Sequence, residues 1–72
     1  MDPTEVAQPL ILGQLVKAAR RGRGLTQVEL ANAVGSYPRA IIEIERGRSK
    51  ADLRLILAVL AELDLRLVVG PR

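Results

Sequence analysis

Residues Leu25 to Gly47 hold two short apolar-periodic segments that meet at one glycine, Gly35. Val28, Leu30, Ala31 and Val34 recur at helical spacing before it, and Ile41 and Ile44 after it. Thr26 with Glu29 three residues on reads as a capping box, which starts a helix at Gln27. Gly35 can take the left-handed conformation that a tight turn between helices requires. Pro38 suits the first position of a second helix, and Gly47 ends it. The segment therefore predicts helices over 27–34 and 38–46 joined by a short turn.

The flanks predict two more helices. Leu12, Leu15, Val16 and Ala19 share a helical face that begins at Pro9 and stops at Gly22 and Gly24. Residues 1–8, with Asp2, Pro3 and Glu5, read as a flexible N-terminal arm. Asp52 is the expected N-cap of a last helix that runs to about Leu63. This helix is apolar nearly all round, a composition that wants burial on more than one side. Residues 65–69 alternate and then become β-branched before Gly70 and Pro71, so they read as a short strand, with 70–72 as a tail. A lone strand needs a mate, and the chain offers no second strand. The expected mate is the same strand of another copy, with Leu55, Val59, Leu65, Leu67, Val68 and Val69 at the dimer interface. The other reading folds the tail onto its own helices.

Composition narrows the chemistry. The chain has 72 residues and neither cysteine nor histidine, so disulfides, thiolate chemistry and the usual zinc ligands are excluded. Ser36 and Ser49 have no partner base, and there is no glycine-rich phosphate loop. Neither an enzyme nor a cofactor is expected. A domain this small, without crosslinks or metal, needs close helix packing or an oligomer partner. The first residues lack a basic segment, and no apolar run approaches the ~18 residues of a membrane span, so a cytoplasmic protein without a membrane partner is expected. The net charge of +3 favours a polyanion only mildly. Its distribution says more: Lys17, Arg20, Arg21 and Arg23 crowd one end of the first helix, and Arg46, Arg48 and Lys50 lie at and beyond the end of the third.

A short helix with this basic flank can enter a DNA major groove through its N-terminal residues. The candidate base contacts are Tyr37, Pro38 and Arg39, followed by Ile42 and Glu43 one turn on. Arg39 can bond guanine O6 and N7 together; alternatively it pairs with Glu43 at i, i+4 or meets only phosphate. Tyr37 can reach a thymine methyl or a phosphate, or serve packing as the sole aromatic. Pro38 offers only apolar contact. Ile42 can touch a thymine methyl or cover the core edge. Glu43 can accept from cytosine N4 or pair with Arg39 or Arg46. The candidate phosphate contacts are Gln27, Arg23, Arg46, Arg48 and Lys50.

The run Leu25-Thr26-Gln27-x-Glu29-Leu30-Ala31, then Gly35, then Ile41-x-x-Ile44-Glu45-Arg46-Gly47, resembles the Cro/C1-type (XRE) helix-turn-helix family. The resemblance covers about Leu12 to Leu63. It implies that Gln27 binds the DNA backbone and steadies the recognition helix, and that Arg20 and Glu45 form a structural ion pair. The chain departs from the family at Tyr37 and Pro38, so no base preference carries over. A helix followed by a short strand, Leu63 to Val69, is similar to the HipB-like antitoxin branch. The fold class expected is all-α: a four- to five-helix lambda-repressor-like helix-turn-helix domain over 9–64, with a C-terminal β-strand over 65–69 pairing across a homodimer. The function this implies is a sequence-specific repressor of a palindromic double-stranded operator. It would act as the antitoxin of a HipBA-like toxin-antitoxin module, repressing its own operon and neutralising a HipA-like serine/threonine kinase toxin. The alternatives are a stand-alone or phage-type repressor with no toxin, and a protein-interaction adaptor that has lost DNA binding.

Overall fold

The computed structural model describes the backbone of residues 3–48 and 53–66 and the side chains of residues 10–48 and 53–66. The described backbone forms four α-helices: α1 (Pro3–Gly22), α2 (Gln27–Ala33), α3 (Pro38–Glu45) and α4 (Leu53–Glu62).

Local chemistry sets where α2 and α3 begin. The Glu29 N–H donates to Thr26 Oγ1 at 3.0 Å, and the Thr26 N–H donates to Glu29 Oε1 at 2.9 Å. This reciprocal pair satisfies two N–H groups that a helix start leaves free. The Thr26 backbone bond, aided by the hydroxyl, holds the Glu29 carboxyl below the usual carboxylate range. α3 has no side-chain cap at Tyr37. Pro38 replaces it, because a proline at the first position loses no hydrogen bond and already has a helical φ.

The four helices end alike. Gly24, Gly35 and Gly47 have φ of 69°, 69° and 70°, and Asp64 has φ of 55°. The next residue in each case donates its N–H back into the last turn: Leu25 to Arg20 O, Ser36 to Ala31 O, Arg48 to Glu43 O and Leu65 to Leu60 O, at 2.8–3.1 Å. This is the Schellman arrangement, which satisfies carbonyls the helix would otherwise leave open. The fourth ending uses an L-residue where the other three use glycine.

The core is aliphatic: Val16 from α1, Leu30 and Ala31 from α2, Ile41 and Ile44 from α3, Val59 and Leu60 from α4, and Leu63 just beyond it. α3 packs against both α1 and α2, and α4 rests on α2. α1 meets the end of α3 at Gly13. A Cβ at Gly13 would lie 2.6 Å from the carbonyl oxygen of Glu45 and closer still to that of Ile44. Glycine therefore lets two backbones touch where any side chain would hold them apart.

Several expectations change. α1 begins at Pro3 and not at Pro9, so residues 3–8, expected as part of a loose arm, are helical. Val28, expected in the core, is 52% exposed, because Leu30 and Ala31 occupy the inward face of the seven-residue α2. Leu15 is likewise exposed. Val59, expected at a dimer interface, is 1% exposed within the protomer and has no surface left to offer. Leu65 closes the end of α4 with its N–H, and its side chain packs against the core. No strand occurs among the described residues. The expected N-cap Asp52 and the strand positions Leu67, Val68 and Val69 lie outside them. No described helix is long and apolar enough to cross a membrane.

Candidate nucleic-acid interface

Glu45 fixes one end of α3. Its carboxylate accepts from Arg20 Nε at 2.6 Å and Arg20 Nη2 at 3.1 Å. Arg20 Nη1 donates to the carbonyl of Leu25 at 2.8 Å. One guanidinium thus ties the end of α1 to the last turn of α3 and to the loop that enters α2. The pair is buried, and the hydrogen bond to Glu45 pushes the Arg20 guanidinium above its ordinary value. Gln27 Nε2 donates to Glu45 Oε1 at 3.2 Å, so the first residue of α2 is held by the same carboxylate. A planar fork suits this task, since it makes two parallel bonds to the carboxylate and keeps a third N–H for the loop.

The outer face of α3 is open. Arg39 lies three and four residues before Ile42 and Glu43, which lie four and three before Arg46, so the four share one ridge. Arg39, Arg46 and Arg48 are exposed, while Ile42, Glu43 and Pro38 are half-buried. Tyr37, at the N-terminal end, is 66% exposed and therefore is not a core residue. The pairing of Arg39 or Arg46 with Glu43 is not made, because the ion pairs among the described residues are Arg20 with Glu45 and Arg23 with Asp64. Arg23, read as a phosphate ligand, donates to Asp64 Oδ2 at 2.5 Å across an exposed surface. Lys50 lies outside the described residues.

A cleft opens beside this ridge. It is lined by Lys17 of α1, Gln27 of α2, Ile42 and Glu45 of α3, and Arg46 at its end. In the sequence, Lys17 stands only as part of a basic cluster. Nothing local in the sequence pairs it with Arg46; the close packing at Gly13 does so by bringing α1 against the end of α3. Gly13 could have been found as an isolated glycine inside a helical pattern, which marks close backbone approach when a packing reason exists. Among the described residues no group of His, Cys, Asp or Glu could hold a metal ion.

Two short helices, the second locked at one end by a buried ion pair and open along a cationic ridge, define a helix-turn-helix DNA-binding domain. A helix-turn-helix family model matches residues 16–69. The chain belongs to this Cro/C1-type helix-turn-helix family, whose members are DNA-binding transcription regulators. No curated protein matches the chain.

Proposed function

We propose that the chain is a dimeric transcriptional repressor that places α3 of each protomer in the major groove of a palindromic operator. The observation that carries this reading is the division of labour along α3. Its inward side is pinned through Glu45 to Arg20 and Gln27, and its outward ridge holds a cation at each end with no acidic partner among the described residues. A helix held rigidly while its polar face stays open meets the requirement for reading base edges.

Arg39 is the principal base reader, with Tyr37, Pro38, Ile42 and Glu43 around it. Gln27, Arg46, Arg48 and Lys50 contact phosphates. Arg23 joins them only by leaving Asp64, at a cost that an exposed pair keeps small. The dimer surface on α4 lies at Leu53 and Leu57, which are exposed and four residues apart on one stripe, while Leu55, two residues from each and so on another side of the helix, packs against the core. Leu67, Val68 and Val69 add a strand that pairs with its copy. The antitoxin role, repressing its own operon and neutralising a kinase toxin, rests on the resemblance to the HipB-like branch.

Gel shift against the DNA upstream of the chain's own gene tests repression: a shift by a dimer supports the reading, and no shift of any fragment at low salt overturns it. A kinase-like reading frame beside the gene, whose product co-purifies with the chain, supports the antitoxin role. A solitary gene leaves a repressor without a toxin.

A further inference from the structure

We propose that Lys17 on α1 completes a seat for one phosphodiester group of a nucleic-acid backbone, in the cleft between α1, α2 and α3. The cleft holds about 180 Å³ and draws its five lining residues from α1, α2 and the α3 end. Such a volume takes a phosphate with its bound water, given that water occupies about 30 Å³.

Charge decides what the cleft accepts. Its one acid, Glu45, is already neutralised. Arg20 binds both of its oxygens, and Gln27 adds a third bond to Oε1. The charges left facing solvent are those of Lys17 and Arg46. Both are exposed, and neither has an acidic partner among the described residues. Two cations around a side-chain amide, with the carboxylate cancelled from behind, form a site for a single anion. Arg20 is then a positioning residue: it removes the charge that would repel the phosphate.

Position selects the source of that anion. Arg46 continues the ridge of Arg39 and Ile42, and Ile42 also lines the cleft. A duplex lying along the ridge carries its backbone past Lys17. The inference rests on α3 meeting DNA as proposed above. It adds an α1 ligand, so three parts of the chain grip one phosphate and fix the angle at which α3 enters the groove.

The test is fluorescence anisotropy with a short mixed-sequence duplex, titrated at several salt concentrations with the full chain and with Lys17→Ala and Arg21→Ala. Arg21 is an exposed cation of α1 that does not line the cleft, so the second variant makes the same charge change elsewhere. Lys17→Ala should reduce the slope of log affinity against log salt by about one for each bound protomer, because one phosphate contact is lost. Arg21→Ala should leave the slope as it is, and Lys17→Arg should restore it. An unchanged slope in Lys17→Ala, or an equal drop in both alanine variants, overturns the seat while the DNA reading stands. Wild-type protein that binds no duplex at low salt overturns both.

Discussion

The Glu45 carboxylate accepts two bonds from Arg20, at 2.6 Å and 3.1 Å, across 25 residues of sequence and inside the protein. Breaking a buried pair from one side leaves a charge without water or partner, which costs about 3–5 kcal/mol. Total stability for a domain of this kind is about 5–15 kcal/mol. Arg20→Met should therefore bring the protein close to unfolding, measured as a large drop in the urea midpoint. Adding Glu45→Leu removes the stranded charge and should recover most of the loss. A double variant no more stable than Arg20→Met would mean that the pair is not what joins α1 to α3.

Gly13 gives a second prediction. Alanine in a helix interior normally gains about 1 kcal/mol over glycine. Here the added Cβ meets backbone carbonyls of Ile44 and Glu45, which cannot rotate away as a side chain can. Overpacking of about 1–3 kcal/mol should win, so Gly13→Ala should lower the thermal midpoint. Gly22→Ala is the control, since nothing lies within 4 Å of its Cβ position. It should be neutral or slightly stabilising. Equal behaviour of the two variants would contradict the close approach of α1 to α3.

Asp64 gives a third. Its left-handed backbone costs an L-residue about 1–2 kcal/mol, less for aspartate than for most, and glycine would remove that cost. The substitution also deletes the exposed ion pair with Arg23, which contributes at most about 1 kcal/mol and is screened by salt. Asp64→Gly should thus stabilise the protein by up to about 1 kcal/mol at high salt and by less at low salt, in paired thermal melts. A loss of stability at high salt, where the ion pair is screened, would show that the left-handed backbone at Asp64 carries no cost for glycine to remove.

Local signals were legible in the sequence. The Thr26 and Glu29 capping box, the turn at Gly35, the stop at Gly47 and the inward pair Ile41 and Ile44 each depend on neighbours within one helical turn. Features set by packing were not. Val28 fits the apolar pattern of α2, yet Leu30 and Ala31 take the core side of so short a helix. Val59 looked like surplus surface on an over-apolar helix, and it fills the core instead. The alternation at Leu65 carried no sign that its N–H caps α4. The bond between Arg20 and Glu45 was reached only through the family resemblance, since no spacing rule connects residues so far apart. Lys17 was legible as charge and not as part of a cleft, because its partners arrive through the contact at Gly13.

The central claim is that the open ridge of α3 reads bases through Arg39, and the ratio of specific to non-specific affinity tests it most directly. Binding of the full chain to a fragment it selects from its own upstream DNA would be compared with binding to a mixed-sequence duplex, at one salt concentration. Arg39→Ala should weaken the selected fragment by about 1–3 kcal/mol and leave the mixed duplex much less affected, so the ratio falls. An unchanged ratio, with both affinities lowered alike, would contradict base reading by Arg39 and reassign it to the phosphate backbone.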